Sequence, residues 1–420
     1  MANSLLTTSK ITKEAVILFL NSNMFLQSVD RQYDSEFGKK GEKIGSQLRI
    51  RLPIDPVVTK GPALSAQDMI EVQTVLTVAT QAHVDLAFTT ADLFLSMDAF
   101  NDRVLEPAMN NLAGQVALDT MTCADTGFIS PSNNMPSAPL VANTGGFCNA
   151  VNGALATLTR SQILYAKAYL EDNSAPTGKR KIVWDQWSEA RIVTDLSGLF
   201  NPTPKISAQY ESGSMKNALG FDHFMDQTVI KHTTGSFSAG TVNGANQSGN
   251  TITVNAITGT LAVGDIVTFA GVYSVNRVTK QTTGNLRQFV ITAAAPSGAT
   301  SLSIYPAIVA PATVNGVSTA VQYQTVTAAP ANGATITMFV APSTVYRKNI
   351  AYAPEAITLA TGDLPLPPNT DSARAQYDGV SLRMVNQYVV GTDQEVHRID
   401  VLYGALVVRP EWGVVIADAI

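Results

Sequence analysis

The residues that come nearest to a catalytic pattern are His83 and Asp85, which lie two positions apart in a segment of alternating polarity. On a β-strand, side chains two positions apart point to the same face, as a general base and its orienting carboxylate require. No serine or cysteine in a nucleophile-elbow pattern accompanies the pair. We therefore predict a simple polar contact on a strand and no catalysis.

The histidines and glycines indicate neither a metal site nor a nucleotide site. The four histidines, at positions 83, 223, 232 and 397, have no metal-ligand spacing, and His397 with Asp400 forms no better site. The glycines form neither GxGxxG nor GxxxxGK[ST]. We expect no cofactor. Four dipeptides instead predict turns, because Asn, Asp and Gly tolerate positive φ: Asn243-Gly244, Asn315-Gly316, Asn332-Gly333 and Asp378-Gly379.

Two carboxylate pairs could be interpreted as glycosidase acids, namely Asp92 with Asp98 and Asp185 with Glu189. Solvated helix faces explain both pairs better. Trp184 and Trp187 could form a stacking platform for sugars or bases. Because Trp184 ends an apolar run, we predict that both indoles belong to the core.

Composition excludes several classes of function. The net charge is −5, 15% of the residues are charged, and no basic run is dense enough to neutralise many phosphates, which argues against tight nucleic-acid binding. Cys123 and Cys148 have no CxxC spacing, so we expect free thiols in a reducing cytosol, with a disulfide between the two as the alternative. The apolar run Ala15–Leu20 is too short for an export signal, and no run is long enough to cross a bilayer.

The step from chemistry to architecture begins with a break in composition at residues 233–341. Only Asp265, Arg277, Lys280 and Arg287 are charged there, against 61 charged residues in the whole chain. Short alternating runs between Gly-bearing turns are typical of a small all-β unit. These runs are Thr251–Ile257, Asp265–Ala270, Val272–Thr279, Leu286–Thr292, Val321–Thr327 and Thr335–Val340. Because charged, mixed sequence resumes afterwards, we predict an inserted β domain.

The N-terminal part predicts extended elements. Residues 1–44 look like an arm, with a helix capped by Thr8 or Ser9 and an apolar face of Ile11, Ala15, Leu18 and Phe19. Residues 45–90 predict a long β-ribbon, whose two alternating arms, Leu48–Ile54 and Val72–Phe88, meet at a Gly61-Pro62 tip. Such a ribbon usually leans on something outside itself.

Mixed helices and strands are predicted for the remaining residues. Ala91–Ala124 is the best helical candidate, with Pro107 in or before its first turn and a stripe formed by Leu105, Met109, Leu112 and Val116. Residues 127–153 form a loop. The later predictions are helices at 161–171 and 185–199, a strand at 181–184, helix and strand within 215–230, and closing strands in 343–360, 381–387 and 398–409.

Short runs spread along the chain carry a family resemblance. They are Tyr33-Asp34-Ser35-Glu36-Phe37, Gly41-Glu42-Lys43-Ile44-Gly45, Ile50-Arg51-Leu52-Pro53, residues 81–88 (QAHVDLAF), Arg103-Val104-Leu105-Glu106-Pro107-Ala108 with Leu112-Ala113, residues 264–272 (GDIVTFAGV), Tyr403-Gly404-Ala405 and Arg409-Pro410-Glu411. Their order and spacing resemble the P22-like coat protein family of tailed double-stranded-DNA phages, which has the HK97 capsid fold.

The resemblance implies an α+β fold of the HK97 type with an inserted all-β, barrel-like domain. It implies an N-terminal arm at 1–44, an extended loop at 45–90, a peripheral domain with a spine helix at 91–150 and the first part of an axial domain at 151–232. The inserted domain would be 233–341, and 342–420 would complete the axial and peripheral domains. The loop at 241–250 lacks the charges with which relatives bridge capsomers.

The function implied by the resemblance is self-assembly, as hexamers and pentamers, into an icosahedral virion head around double-stranded DNA. A scaffolding protein would template a procapsid in the host cytoplasm, a portal protein would occupy one vertex, and a decoration protein is an open option. Since Arg and aromatic residues are favoured at interfaces, we expect Arg31, Tyr33, Phe37, Arg49 and Arg51 to contact neighbouring subunits. The alternatives are a tail or decoration protein, and a glycan-active enzyme with an inserted carbohydrate-binding module.

Overall fold

A computed structural model describes residues 8–31, 47–51, 56–62, 64, 66–67, 73–89, 104–127, 158–196, 217–314, 317–368, 370–392 and 394–420. The chain divides into two compact units. The first comprises Met1–Leu52, Gln73–Cys123 and Ile357–Val408, and the second comprises Pro53–Val72, Ala124–Ala356 and Arg409–Ile420. No helix in the described part of the chain is long and apolar enough to cross a membrane.

Helices and strands alternate in a mixed order. The helices are α1 (Thr8–Ser22), α2 (Met24–Ser28), α3 (Glu106–Gly127), α4 (Arg160–Asp172) and α5 (Gln186–Leu196). The strands are β1 (Gln47–Arg51), β2 (Gln73–Thr77), β3 (Thr80–Thr89), β4 (Lys181–Trp184), β5 (Asn217–Ala218), β6 (Phe221–Met225), β7 (Lys231–Thr233), β8 (Gly249–Thr253), β9 (Ile266–Val275), β10 (Thr282–Ile291), β11 (Ser301–Ile308), β12 (Ala312–Val314), β13 (Val317–Thr319), β14 (Ile336–Met338), β15 (Val345–Tyr352), β16 (Ile357–Gly362), β17 (Asp371–Tyr377), β18 (Val380–Val389), β19 (Gln394–Val407) and β20 (Gly413–Ala419).

The first unit is built on a sheet of order β16-β19-β18-β17, with β3 also paired to β19. The hairpin between β17 and β18 turns on Asp378 and Gly379, whose φ values of 46° and 80° suit a two-residue turn between strands. The Asp378-Gly379 turn prediction is therefore confirmed. Gly244 and Gly333 also have positive φ, at 96° and 78°, whereas Asn315 and Gly316 lie outside the described residues.

The apolar face predicted from periodicity is fully buried for α3 and only partly buried for α1. In α3, the whole predicted stripe of Leu105, Met109, Leu112 and Val116 is buried, and Pro107 lies in the first turn, where a missing N–H costs little. Residues 91–103, where we predicted the helix to begin, lie outside the described residues. The buried face of α1 is formed by Thr8, Thr12, Ala15, Val16, Phe19 and Leu20. Of the predicted face, Ala15 and Phe19 are buried, whereas Ile11 and Leu18 are only half-buried.

The ribbon prediction is correct for its root and wrong for its second arm. β1 pairs with β2 in antiparallel register, with Leu48 opposite Leu76. The second arm does not continue the ribbon. The pairing with β1 ends with β2 at Thr77, and the next strand, β3, pairs instead with β19 over ten residues. Alternating polarity identifies a strand with one buried face, but it does not identify the neighbouring strand.

The second unit contains a mixed sheet of order β20-β15-β4-β6-β5, in which β4 and β6 are parallel. The helices α4 and α5 confirm the predicted helices near 161–171 and 185–199. The predicted helical component of 215–230 is wrong for 217–230, where β5 and β6 form instead. Phe221 of β6 is buried in the same apolar cluster as Ile163 of α4, so packing decides this segment.

The same unit contains a second sheet, of order β14-β9-β10-β11-β8. The runs Asp265–Ala270 and Val272–Thr279 merge into the single strand β9, which passes through Gly271. The predicted strand at Val321–Thr327 is wrong, since only an isolated bridge between Ser274 and Val326 forms there. Strand β11 is not among the predicted runs; it contains Pro306 in its interior, a residue that is usually confined to strand edges.

Candidate interaction surfaces

Arg31, a predicted interface residue, is held within its own chain. Its Nη2 atom lies 2.5 Å from Oδ2 of Asp378, and its side chain is only 10% exposed. A Cβ atom on Gly379 would lie 2.6 Å from the Arg31 carbonyl oxygen, so the backbones approach closely here. The turn between β17 and β18 therefore fixes the end of the described N-terminal segment.

Arg49 and Arg51 lie on the outer face of β1. Leu48 and Ile50, which alternate with them, are buried in a cluster with Leu76, Val78 and Val408. The ribbon root is thus amphipathic, with an apolar face packed on its own unit and a basic face in solvent. The other two predicted interface residues, Tyr33 and Phe37, lie outside the described residues.

Gly404 permits the ribbon root to approach the sheet. A Cβ atom at this position would lie 2.1 Å from the carbonyl oxygen of Thr77 and 3.0 Å from Cα of Val78. Any side chain would therefore push β2 and the residues after it away from β19. In the sequence, Gly404 belongs to the run Tyr403-Gly404-Ala405 that carries the family resemblance, and its role in packing was not predicted. The available signal was a glycine inside an alternating strand.

Asp400 anchors a charged network on the face of the β3, β18 and β19 strands. It is fully buried, and it accepts hydrogen bonds from Arg383 (Nη2 at 2.6 Å, Nε at 3.2 Å), from Arg398 Nε at 3.1 Å and from Gln81 Nε2 at 2.8 Å. Its oxygens are occupied by these donors. A carboxylate held in this way stabilises a sheet and does not serve as a free base.

The predicted histidine contacts are ordinary polar contacts. His83 Nε2 lies 3.6 Å from Asp85 Oδ2, and both side chains are about half exposed, at 41% and 51%. His397 does not pair with Asp400. Its Nδ1 lies 2.8 Å from Oδ1 of Asn386, and burial lowers its pKa.

The solvated-face interpretation of Asp185 and Glu189 is wrong. Both residues are buried, and Asp185 Oδ2 lies 2.7 Å from Nε of Arg347 on β15. Asp418 completes this cluster, because it is fully buried and accepts from Arg191 Nη1 at 2.6 Å and Ser188 Oγ at 2.7 Å. Arg347, which pairs with Asp185, lies on a strand distant in sequence, so helix periodicity alone could not predict that this carboxylate is buried. Asp92 and Asp98 lie outside the described residues.

The two tryptophans have opposite environments. Trp184 is fully buried, as predicted, but Trp187 is 62% exposed, so its core prediction is wrong. It lies in the first turn of α5, where Asp185 Oδ2 accepts from its backbone N–H at 3.1 Å. An exposed tryptophan is a candidate contact residue that the sequence analysis missed.

Asp265 is the hub at the root of the second sheet. It is fully buried and accepts from His232 Nε2 at 2.8 Å and from the backbone N–H groups of Gly235 at 3.0 Å and Ala262 at 2.7 Å. Nearby, Lys348 Nζ donates to the Gly264 carbonyl at 3.1 Å. Asp265 is the only carboxylate in residues 233–341, a signal from which its role could have been predicted.

A second group of contacts fastens the turn between β9 and β10. Arg277 pairs with Glu411, which Arg409 Nη1 also approaches at 3.4 Å. Asn276 Nδ2 donates to the carbonyl of Asp172, at the end of α4, at 3.1 Å. The turn is thus held by one ion-pair cluster and one side-chain hydrogen bond to the backbone.

The part of the chain that the structure describes contains neither a reactive cysteine nor a metal-binding cluster. Cys123 is a free thiol whose Sγ lies 3.5 Å from the Ala405 carbonyl oxygen, and burial raises its pKa. A raised pKa keeps the thiol protonated and poorly nucleophilic. Cys148 lies outside the described residues. Among the described side chains, no group of three or more His, Cys, Asp or Glu residues could hold a metal ion.

Comparison with known proteins supplies a family. Residues 134–417, more than half of the chain, match the family described as "P22 coat protein - gene protein 5". A comparison with curated protein sequences found no match.

Solved structures with a similar arrangement have low sequence identity to this chain. One is described as "Mycobacterium phage Che8" (12% identity, 93% of this chain and 89% of the other covered, TM-score 0.44). Another is "Capsid structure of the Cyanophage P-SCSP1u" (10% identity, 89% of this chain and 83% of the other covered, TM-score 0.42). A third is "Capsid of Ralstonia phage GP4" (7% identity, 90% of this chain and 84% of the other covered, TM-score 0.44).

Proposed function

The chain belongs to the P22 coat protein family and is a bacteriophage capsid protein, and from this we propose that it closes, as hexamers and pentamers, into an icosahedral head around double-stranded DNA. The observation that carries the proposal is the family match over residues 134–417. A net charge of −5 suits a wall that contains DNA without binding its sequence. The role is structural, without an enzymatic step.

We further propose the HK97 capsid fold and its division of labour. The arm (1–44), the extended loop (45–90) and the peripheral domain (91–150) would join the axial domain (151–232) and the closing segment (342–420). Residues 233–341 would be an inserted β domain. The apolar cluster of the second sheet supports this last point, since all of its buried members lie between Phe237 and Met338.

The ribbon root is the surface that we propose for contact with a neighbouring subunit. Its apolar face is already used within its own unit, whereas Arg49 is exposed on the opposite face. Arginine forms bidentate contacts with carboxylates and is favoured at interfaces. Tyr33 and Phe37 of the arm remain proposed contact residues, because aromatic residues are also favoured at interfaces. Arg31, already paired with Asp378, would contribute by holding the arm in place.

The assembly partners follow from the proposed route. A scaffolding protein would template a procapsid that expands on maturation in the host cytoplasm, and a portal protein would occupy one vertex. A decoration protein is a further proposed partner. Many weak contacts summed around a closed shell give stability while they permit errors to be corrected.

Sedimentation and negative-stain microscopy of the full chain test this proposal. The chain should form closed shells when a scaffolding protein is added, and shell-related oligomers or particles at high concentration without it. A chain that remains monomeric under every condition, and that instead cleaves a polysaccharide, would overturn the assignment.

A further inference from the structure

Unpartnered polar atoms are concentrated in the segment Asn285–Gln288 of β10. Four buried side-chain nitrogen or oxygen atoms of this segment have no hydrogen-bond partner among the described residues: Asn285 Oδ1, Arg287 Nε, Gln288 Nε2 and Gln288 Oε1. Native proteins satisfy nearly all of their buried polar groups, so such a concentration calls for a partner beyond the residues that the structure describes.

The strand is irregular at the same place. The pairing of β10 with β9 shifts register between Thr282 and Leu286, and again between Leu286 and Gln288. Bulges of this kind turn side chains away from the regular alternation and are over-represented beside functional sites. The irregularity and the unpartnered atoms therefore mark one local structure.

Arg287 is the unusual member of this segment. It is only 8% exposed, and no carboxylate among the described residues forms an ion pair with it. Arg277 and Arg409, by contrast, both contact Glu411. A buried guanidinium without a counter-ion is costly unless an anion completes it.

Tyr169 of α4 extends the site. Its hydroxyl is buried; the Asn173 side chain acts on its oxygen, but the O–H has no acceptor among the described residues. Burial raises the pKa of Tyr169, and the positive charge of Arg287 acts against that rise. Burial also raises the pKa of Tyr305 on β11, and the positive charge of Arg287 again acts against the rise. Arg287 thus shares one electrostatic environment with two phenols.

The local charge leaves room for an anion. The cations here are Arg277, Arg287 and Arg409, whereas the carboxylates that act on Tyr169 are those of Glu411 and Asp172. Glu411 is shared between two arginines, which leaves Arg287 without compensation.

We propose that Arg287, Gln288 and Tyr169 form a binding site for a small oxyanion, of which hydrogen phosphate is the representative. The guanidinium, the amide N–H and the phenolic O–H are donors suited to anionic oxygens. The unpartnered side-chain oxygens of Asn285 and Gln288 are acceptors, and either could accept a hydrogen bond from the P–OH group of hydrogen phosphate. The site does not depend on the proposed shell, so its failure would leave the coat-protein function unaffected.

Thermal unfolding of the full chain, unassembled, tests the site with inorganic phosphate against chloride at matched ionic strength. Phosphate also stabilises proteins by exclusion from their surface, so the comparison is between variants. We expect the saturable rise in Tm of the unsubstituted chain to exceed that of Arg287→Met by about 2–4 °C. In chloride, Arg287→Met should be at least as stable as the unsubstituted chain, because an uncompensated charge is gone.

Two further variants make the outcome decisive. Tyr169→Phe removes one donor with little change of shape and should reduce the phosphate effect even if Arg287→Met folds poorly. Lys231→Met removes an exposed cation of the same unit and should leave the phosphate effect unchanged. An equal phosphate-induced rise in all four proteins, or no rise in the unsubstituted chain, would overturn the proposal.

Discussion

The indole Nε1 of Trp184 donates a hydrogen bond to Nδ1 of His223, with 2.8 Å between the two nitrogens. The other ring nitrogen, Nε2, lies 3.0 Å from the carbonyl oxygen of Ala218. Because a carbonyl only accepts, Nε2 carries the proton and Nδ1 must be bare. The contacts therefore fix both the neutral state and the tautomer of His223.

Acid should destabilise the second unit through His223. Burial lowers its pKa in the folded state, so the unfolded chain binds the proton more readily. The stabilisation is complete above the ordinary pKa of about 6.5 and decreases as pH falls below it. Between pH 7.5 and 5, the loss from this residue is at most about 2 kcal/mol. Urea unfolding at both values measures it.

The matched variant for this prediction is His223→Asn, in which the side-chain oxygen replaces Nδ1 as the acceptor for Trp184. This variant should be less stable at pH 7.5 but should show a smaller loss on acidification. An acid sensitivity identical to that of the unsubstituted chain would exclude His223 as its source.

Gly404→Ala should detach the ribbon root from the sheet. The added Cβ would lie 2.1 Å from the Thr77 carbonyl oxygen, a distance that requires backbone movement. We expect a cost of about 2–3 kcal/mol in the free energy of unfolding. Gly391→Ala is the control, since a Cβ atom there meets nothing within 4 Å. Equal stability of the two variants would contradict the close approach.

Asp400→Asn should be strongly destabilising, by about 3–5 kcal/mol, because it removes a fully buried charge that Arg383, whose side chain is 14% exposed, shares with Arg398. Asp85→Asn, on the neighbouring strand, alters a carboxylate that is 51% exposed and should change stability by less than about 0.5 kcal/mol. Chemical denaturation of both variants measures the difference, and similar values for the two would refute the anchoring role of Asp400.

Arg49→Ala and Arg31→Ala should have different effects. Arg49 is exposed, so its loss should leave unfolding within about 0.5 kcal/mol while reducing the yield of shells in an assembly assay. Arg31 is tied to Asp378, so its loss should cost about 1 kcal/mol of stability. If Arg49→Ala assembles normally, the ribbon root does not contact a neighbour through this residue.

Residues 233–341 expressed alone should unfold in a single cooperative thermal transition. The apolar cluster of the second sheet is contributed entirely by residues within this range. The fragment lacks His232 and Lys348, so it should melt below the full chain, although Asp265 keeps the N–H groups of Gly235 and Ala262. A broad, non-cooperative melt would show that the hub contacts are required for folding.

Local pattern predicted those parts of the fold that depend on neighbours in sequence. The stripe of α3 follows from its helical period, and the hairpin between β17 and β18 follows from Asp378-Gly379, since each is decided within a few residues. Pattern failed at Val321–Thr327, which has a strand composition but only one bridge. Whether such a run becomes a strand depends on an available edge, which the run itself does not encode.

By itself, the sequence determined the family, the mixture of helix and sheet, the compositional break at residues 233–341 and the alternation that buries Leu48 and Ile50. Only the tertiary structure decided which strand pairs with β3, that Asp185 is buried against Arg347, and that Arg287 has no counter-ion among the residues that the structure describes. The physical reason is that periodicity specifies which face of an element avoids water, whereas partners for charges and strand edges come from residues far along the chain.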